Sequence, residues 1–230
     1  MAPVLTASYF LKTSAPGTSA LTTASFTPAD GEVVIVKLST WDATIAMSAP
    51  TGGSQTYTSR VINGPAGFFQ WCGLYSCVIA GSPGAMTITS SPASNSQYSM
   101  CVERWTGAQL AASPATGSSA PATSQSPSGS ITATSSTSVI SWVAGDVNSA
   151  DPTTRTYLNS AVEVGIRDGH IGSNGVDYYA YQASTGVGAQ TYGLSTQSGA
   201  KAVTASIEVL AAAASTASFP PRRRGPNYRR

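Results

Sequence analysis

The chain has 230 residues, of which 41% are hydrophobic, so it can bury the core of one large β domain or two small ones and is not a disordered chain. Only 10% of the residues are charged, and Ser, Thr, Ala and Gly are abundant, so small hydroxyl side chains and backbone must cover the surface. This composition favours a densely paired β protein that packs against copies of itself or against partners.

Positive charge is concentrated near the C-terminus. The formal net charge is +2, but without five arginines of the last nine residues, seven basic residues face ten acidic ones, a net charge of 7 − 10 = −3. A nucleic-acid-binding domain usually carries its basic residues on a folded face, among aromatic residues. Their segregation here predicts that the protein does not bind nucleic acid. The five are Arg222, Arg223, Arg224, Arg229 and Arg230.

The N-terminal sequence MAPVLTASYFLKTSA lacks a basic segment ahead of its apolar residues, and Thr6, Ser8 and Lys12 interrupt the apolar run. It is therefore not expected to act as a signal peptide. No apolar stretch approaches the roughly 18–20 residues that a membrane-spanning helix needs, which predicts a protein without a membrane partner.

Short segments rich in β-branched and aromatic residues follow, separated by Gly, Pro, Ser and Asp, and predict antiparallel strands. No long segment has a 3.6-residue apolar period. Near the end, Val203, Ala205, Ile207 and Val209 alternate with polar residues and predict a strand, although the alanines after them favour a helix. The predicted strands are GEVVIVKLS, DATIAMS, QTYTSRVI, FFQWCGLYSCVIA, GAMTITS, QYSMCVERW, TSVISWVAGD, RTYLNSAVEVGI, VDYYAYQAS, AQTYGLS and KAVTASIEVL.

Three cysteines, Cys72, Cys77 and Cys101, lie in these predicted strands. Cys72 and Cys77 are five residues apart, so on one strand they face opposite sides and cannot form a disulfide with each other. Either could meet Cys101, but buried free thiols in a protein assembled in the cytosol are the preferred interpretation. No Cys or His spacing typical of a metal site is present, so we expect neither metal nor cofactor.

Residues 107–130, GAQLAASPATGSSAPATSQSPSGS, have almost no large apolar side chains. They are either a linker between two small domains or a long surface excursion of one domain. FTPADGEVVIVKLSTWDA before this segment and ITATSSTSVISWVAGDVNSA after it share a pattern, an apolar strand ahead of an Asp-containing turn. We favour one antiparallel two-sheet β-sandwich over residues 1–217, with both halves contributing to both sheets, followed by an extended tail at 218–230.

Five segments in this order carry a resemblance to a known group of proteins: ASFTPADGEVVIVKLS, VERWTGA, SVISWVAGD, YYAYQASTGVGAQTYGL and VTASIEVL. The chain resembles virion structural proteins of tailed phages that infect actinobacteria, which are commonly described as minor tail or head decoration proteins. The resemblance implies a jelly-roll-like sandwich, displayed on a virus particle that assembles in the host cytoplasm.

Catalytic and metal-binding residues are sparse. His170, beside Asp168 in RDGHIGSNG, would have to serve any hydrolase, but the sequence lacks the G-x-S-x-G motif and the surrounding glycines predict a hairpin loop. Asp146, Asn148 and Asp151 could present oxygens to Ca²⁺, yet their spacing is not that of a calcium loop, and turn formation explains them better. The protein is therefore expected not to be an enzyme.

Aromatic residues suggest an alternative function, a minor tail protein that binds a host-surface glycan. Tyr178, Tyr179 and Tyr181 could stack on sugar rings if they were exposed. By strand alternation, Tyr179 and Tyr181 share one face and Tyr178 lies on the other. Packing in the core or between subunits is the competing interpretation. Trp71, Tyr75 and Cys77 share a face of their own strand in the same way.

The tail, FPPRRRGPNYRR, predicts a docking arm. Pro220 and Pro221 end the last strand and stiffen an extended path. Arginine binds carboxylates in a bidentate geometry that lysine does not reproduce, and Tyr228 adds a flat anchor. We therefore expect a head decoration protein, docked through this arm on an acidic groove of a capsid subunit, a tail subunit or a neighbouring copy in a homo-oligomer.

Overall fold

The computed structural model describes residues 2–13, 15–41, 47–64, 70–119, 126–147, 155–167, 175–196 and 201–213. Within these ranges the protein is all-β apart from one short 3-10 turn, and every pair of strands is antiparallel. This confirms the predicted all-β class. No helix in the described ranges has the length and apolar character needed to cross a bilayer.

The strands up to residue 106 form one large sheet and one small one. The large sheet has the order β1-β7-β3-β5-β4, and β2 pairs with β6. These strands are β1 (Val4–Lys12), β2 (Leu21–Thr22), β3 (Val33–Thr40), β4 (Thr58–Asn63), β5 (Trp71–Val78), β6 (Thr89–Ser90) and β7 (Tyr98–Thr106).

The strands after residue 107 form a second large sheet, in the order β12-β13-β11-β15, with β8 and β9 both paired to the free edge of β15. A second small sheet pairs β10 with β14. The elements are β8 (Ala108–Gln109), β9 (Thr116–Ser118), β10 (Ser128–Ala133), β11 (Val139–Val147), a 3-10 turn (Leu158–Ser160), β12 (Val162–Arg167), β13 (Val176–Ala183), β14 (Gly188–Gly193) and β15 (Lys201–Ala211).

The two halves have the same topology. The order β7-β3-β5-β4 in the first large sheet corresponds strand by strand to β15-β11-β13-β12 in the second, and the pair β2-β6 corresponds to β10-β14. In repeat 1, β1 pairs with the edge of β7, and in repeat 2, β8 and β9 pair with the equivalent edge of β15. The described chain therefore consists of two structural repeats, repeat 1 (residues 4–106) and repeat 2 (residues 108–211).

This duplication corrects the expectation that both halves contribute to both large sheets. Each repeat builds its own large sheet, because each strand pairs within its own repeat. The two large sheets then pack face to face, as sheets in a β-sandwich do. The similar segments around VVIVKLS and SVISWVAGD are the equivalent central strands β3 and β11.

Apolar side chains fill three layers. The middle layer lies between the two large sheets and contains Val33, Ile35, Cys72, Leu74, Cys101, Trp105, Ala108, Val139, Val143, Tyr179, Val203, Ala205, Ile207 and Val209. It draws on both repeats, so it is the layer that joins them.

Each repeat also has an outer layer, on the other face of its large sheet. Outer layer 1 consists of Phe26, Val34, Val36, Leu38, Met47, Tyr57, Trp71, Tyr75, Cys77, Ile79, Met86, Ile88, Tyr98, Met100 and Val102. Outer layer 2 consists of Ile131, Ile140, Trp142, Ala144, Val176, Tyr178, Ala180, Tyr192 and Leu194. Connecting segments and the short β2-β6 pair cover the first, whereas the six-residue strands β10 and β14 cover the second.

Strand alternation explains the continuous apolar sequence of β3. Val33 and Ile35 point into the middle layer, while Val34 and Val36 point into outer layer 1, so both faces are covered. The same alternation places Val203, Ala205, Ile207 and Val209 of β15 in the middle layer, which confirms the strand predicted there.

Three predicted segments differ from the structure. The sequence analysis assigned no strand to β1 or β10. The predicted strand GAMTITS is reduced to the two residues of β6, and RTYLNSAVEVGI begins with the 3-10 turn before β12 starts. Residues 107–119, treated as excursion or linker, instead supply β8 and β9 to the second large sheet. Most of DATIAMS lies outside the described residues.

The three cysteines are buried and free, as predicted. Cys72 lies in the middle layer and Cys77 in outer layer 1, on opposite faces of β5. Cys101 also lies in the middle layer, on β7.

Candidate functional site

Charged side chains lie inside the middle layer. Lys37 of β3 and Glu103 of β7 are fully buried, and their Nζ and Oε1 atoms are 2.5 Å apart. The Lys37 ammonium also donates to the carbonyl oxygen of Ala180 on β13, at 2.7 Å. Ser141 of β11 donates to the Glu103 carboxylate at 2.6 Å. This ion pair therefore belongs to repeat 1 but is hydrogen-bonded to repeat 2 at both ends.

A second buried carboxylate, Asp177 of β13, belongs to repeat 2 and is hydrogen-bonded by repeat 1. It accepts hydrogen bonds from Ser39 at 2.8 Å, from Gln70 at 3.0 Å and from Ser99 at 2.6 Å, all of which belong to repeat 1. The positive guanidinium of Arg167, whose pKa burial lowers, interacts electrostatically with Asp177. Among the described residues, the middle layer therefore includes two positive side chains, Lys37 and Arg167, and two negative ones, Glu103 and Asp177.

A cavity of about 500 Å³ opens between the two repeats at one edge of the sandwich. We call it the seam cavity; its lining comes from the start of β1, the end of β7, the turn before β11 and the end of β13. Its volume is in the range of small-ligand pockets. The lining residues are Ala2, Pro3, Val4, Leu5, Trp105, Ser136, Thr137, Ser138, Val139, Tyr181, Ala183 and Ser184.

One wall of the seam cavity is the partly exposed ring of Tyr181, backed by the buried ring of Trp105. Trp105 of repeat 1 and Tyr181 of repeat 2 meet edge to face, with ring centroids 5.0 Å apart. The indole N–H of Trp105 donates to the Glu103 carboxylate at 3.2 Å, so the buried ion pair also fixes this ring. Burial raises the pKa of Tyr181 above the usual value of a phenol.

The polar rim of the seam cavity is held by one buried carboxylate, Glu208 of β15. It accepts hydrogen bonds from the backbone N–H groups of Thr134 and Ser135. The hydroxyl of Ser138 donates to it at 2.6 Å. The turn that presents Ser136 and Thr137 is therefore preorganised, although both residues are exposed.

The prediction of glycan-facing aromatic residues is wrong for Tyr178 and Tyr179. Both are fully buried, Tyr178 in outer layer 2 and Tyr179 in the middle layer, because both faces of β13 are covered. The Tyr179 hydroxyl is 2.7 Å from that of Ser99, and burial raises its pKa well above the usual range. Tyr181, in contrast, lines the seam cavity. The predicted arrangement of the three tyrosines on the two faces is confirmed.

Asp146 does not lie in the turn that the sequence suggested. It is in β11, fully buried, and its carboxylate oxygens have no hydrogen-bond partner among the described residues. Desolvation raises its pKa to about 7. No cluster of three or more His, Cys, Asp or Glu side chains suited to a metal ion occurs within the described ranges.

Other predicted site residues lie outside the described residues. These are His170 with Asp168, the turn residues Asn148 and Asp151, and the tail residues Arg222, Arg223, Arg224, Tyr228, Arg229 and Arg230. The described cysteines are poor nucleophiles, because burial raises the pKa of Cys77 and of Cys101 to about 12.

The sequence analysis missed Trp105 and Glu208 as site residues. VERW and SIEVL are ordinary strand sequences, and neither contains a motif that marks a cavity wall or a turn-capping carboxylate. The sequence offered one signal for Glu208, a charged residue within a predicted strand. Charged side chains are rarely buried unless they are paired, so burial of such a residue indicates a specific partner.

The outer surface is almost free of charge. Among charged side chains whose placement the structure describes, only Lys12 and Asp30 are exposed. The others are buried or half-buried, including the pair of Arg104 with Glu32 and the pair of Arg155 with Glu163. Small hydroxyl and methyl side chains therefore dominate the described surface that is accessible to a partner.

Comparisons with protein-family models, with curated proteins and with solved structures found no match to this chain.

Proposed function

We propose that the protein is a non-enzymatic structural component of a tailed-phage virion, a decoration protein on the capsid exterior that docks through its C-terminal arginine arm. The observation that supports an assembly role is the nearly uncharged surface of the two repeats, on which Lys12 and Asp30 are the exposed charges among described residues. Soluble domains usually carry many more surface charges, which oppose association.

A surface of Ser, Thr, Ala and Gly is well suited to close packing in a particle. Lys, Glu and Asp are depleted from the cores of protein interfaces. Immobilising one long side chain costs about 0.5–1.5 kcal/mol, whereas Ser and Ala lose little side-chain entropy. Neighbouring subunits can therefore cover this surface at a small entropic cost.

The arm supplies the specific attachment. Its five arginines carry the positive charge that the described surface lacks, and each guanidinium can bind a carboxylate through two parallel hydrogen bonds. An acidic groove on a capsid subunit, a tail subunit or a neighbouring copy is the expected partner. Virion exterior is the expected location, after assembly in the host cytoplasm.

The test is a particle-binding assay with protein that lacks residues 219–230. The truncated protein should stay folded, since β15 ends at Ala211, but should lose its occupancy on particles. Changing the five arginines to lysine should remove much of the affinity, and raising the salt concentration should release the wild-type protein. Lys12→Ala is the matched control, because it removes an exposed charge of the folded part. Truncated protein that binds at wild-type occupancy would contradict the proposal.

The finer fold assignment also belongs to this proposal. In repeat 1, four strands of the large sheet follow the order first-last-third-fifth, and the second strand pairs with the sixth in a separate small sheet. Repeat 2 follows the same order when β8 and β9 are counted as one strand. A jelly roll distributes its strands between two sheets in a comparable way. We propose that each repeat is a shortened jelly roll, so that the molecule is a tandem pair.

The glycan-binding minor tail protein is the second candidate, favoured by the Trp105–Tyr181 wall and the hydroxyl-bearing rim of the seam cavity. A glycan array compared between wild type and Tyr181→Ala tests it. Binding that the substitution leaves unchanged would exclude the seam cavity. The hydrolase alternative depends on His170, and an activity lost in His170→Ala would be required to support it.

A further inference from the structure

We propose that the seam cavity is the docking site for residues 219–221, Phe-Pro-Pro, of the same chain, so that the arginine-rich end leaves the protein from a fixed point. This goes beyond the proposed function, because it concerns the attachment of the arm to its own fold. It holds whichever partner the arginines bind.

The place where the chain leaves the fold supports this assignment. After β15, the backbone N–H of Ala212 donates to the carbonyl oxygen of Gly107 at 2.8 Å. Gly107 follows Trp105 by two residues, and a Cβ built on it would lie 3.8 Å from the carbonyl oxygen of Ala2. Trp105 and Ala2 both line the seam cavity. The last described residue, Ala213, is therefore next to the cavity.

The length of the connection favours docking within one molecule. Phe219 follows Ala213 by six positions, and an extended chain covers at most about 20 Å over six positions. A short tether of this kind gives an effective concentration in the millimolar range, which exceeds that of a second copy in dilute solution. A segment held beside the cavity will therefore occupy its own cavity first.

The chemistry of the cavity matches the segment. Proline-rich segments in an extended conformation dock on grooves lined by aromatic rings, and the partly exposed ring of Tyr181, held edge to face by the buried Trp105, is such a ring. Val4, 52% exposed at the cavity, is an apolar side chain that a phenylalanine ring would cover. Hydroxyl groups of Ser136 and Thr137 stand at the rim, where they can bond the backbone carbonyls of a proline-containing segment.

The same lining explains why the arginines are not expected in the cavity. None of the described residues that line it is Asp or Glu, and the nearby carboxylates of Glu103 and Glu208 are buried and already hydrogen-bonded. Apolar Phe219 and the prolines can enter such a cavity at no electrostatic cost, whereas a guanidinium would lose its hydration without a partner. The arginines therefore remain free for an acidic partner.

Disulfide trapping in the full-length protein tests this proposal. Ser136→Cys with Phe219→Cys places one thiol at the cavity rim and one in the segment. The native cysteines do not interfere, because all three are buried. Under mild oxidation of dilute protein, mass spectrometry should find an intramolecular disulfide between positions 136 and 219.

The matched control is Lys12→Cys with Phe219→Cys. Lys12 is exposed at the far end of β1, seven residues after Leu5, a distance of about 24 Å along the strand. We expect trapping at position 136 to be at least about tenfold faster than at position 12, and Tyr181→Ser to reduce that advantage.

Three outcomes would overturn the proposal. Equal trapping rates at positions 136 and 12 would show that the segment does not prefer the cavity. Exclusively intermolecular disulfides would show docking on a second copy. Glycan binding at the cavity that is equally strong with and without residues 219–230 would show that a sugar, rather than the segment, is the occupant. In the particle assay, the variant with the five arginines changed to lysine keeps Phe219–Pro221 intact, so failure of one proposal is distinguishable from failure of the other.

Discussion

The middle layer and the two outer layers of this protein are built differently, although all three pack against the same two large sheets. Outer layer 1 is an apolar cluster in which Val34, Val36 and Leu38 of β3 meet aromatic and methionine side chains. The middle layer adds Lys37 with Glu103 and Asp177 with Arg167 to its apolar residues. The ion pair beside outer layer 1, Arg104 with Glu32, keeps part of its arginine exposed, whereas the contact between the two repeats uses the fully buried pair of Lys37 with Glu103.

The difference indicates what buried charge contributes here. A buried ion pair adds little net stability, because desolvation offsets the attraction, but a mismatched arrangement that separates the pair is strongly disfavoured. Lys37 donates a hydrogen bond to the carbonyl oxygen of Ala180, and Asp177 accepts one from Ser39. These bonds form only when the two sheets are correctly aligned with each other. We expect these contacts to select one packing of the two sheets among the many that apolar surfaces would allow.

The largest effect should come from separating the ion pair of the middle layer. Lys37→Met leaves the Glu103 carboxylate buried without its cation and should lower the free energy of unfolding by about 3–5 kcal/mol. Adding Glu103→Gln should recover much of that loss, since the amide can still accept from Trp105 and Ser141. Denaturant unfolding measures both.

The control for this pair is Arg155→Met. The Arg155–Glu163 pair is partly exposed, so its loss should cost about 0–1 kcal/mol. If Lys37→Met were as mild as Arg155→Met, the two layers would not differ in the way described.

A pH series sharpens the comparison at Asp146, a buried carboxylate on the outer face of the second large sheet. By strand alternation Asp146 shares its face with Trp142 and Ala144 of outer layer 2, and desolvation raises its pKa to about 7. Between about pH 4 and pH 7 the unfolded chain has lost this proton while the folded protein keeps it. Stability should therefore fall as the pH rises through this window, by up to about 4 kcal/mol from this group.

Asp146→Asn removes the titration without changing the size of the side chain. It should make the protein more stable than wild type at pH 8 and leave the two equally stable at pH 4. Urea midpoints at both pH values give the answer. A variant that is less stable than wild type at pH 8 would mean that the charged carboxylate has a stabilising partner.

A smaller effect is expected from filling a close contact at the edge of the middle layer. A Cβ at Gly165 of β12 would lie 2.5 Å from the Phe10 ring of β1, so Gly165→Ala should cost about 1–3 kcal/mol. Phe10→Leu in the same chain should relieve part of the cost. Gly84→Ala, with no atom within 4 Å of its Cβ position, should change stability by no more than about 0.5 kcal/mol. Thermal unfolding compares the three variants, and equal losses at Gly165 and Gly84 would show that the repeats do not pack tightly there.

The smallest effect should be that of a reducing agent. The cysteines of the middle layer and of outer layer 1 are free and buried, so dithiothreitol should leave the melting temperature unchanged. A thiol reagent should label none of the three in the folded protein and all three in denaturant, since burial and raised pKa values suppress the thiolates. A lower melting temperature in dithiothreitol would indicate a disulfide.

The local pattern of the chain was predictable from its residues. Alternation predicted that Tyr179 and Tyr181 share a face that excludes Tyr178, that Cys72 and Cys77 point to opposite sides, and that β15 is a strand despite its alanines. These properties depend on the two-residue period of an extended backbone, which covalent geometry imposes wherever a strand forms.

Tertiary structure alone decided which of those faces are covered. Tyr178 and Tyr179 lie on opposite faces of β13, and both are buried because one face meets the other repeat and the other meets β10 and β14. The burial of Lys37, the pairing of β8 and β9 with β15, and the seam cavity likewise depend on contacts between residues far apart in the chain. A side chain's direction is a local property of its strand, but its environment depends on which sheet packs against that strand, and residue periodicity does not contain that information.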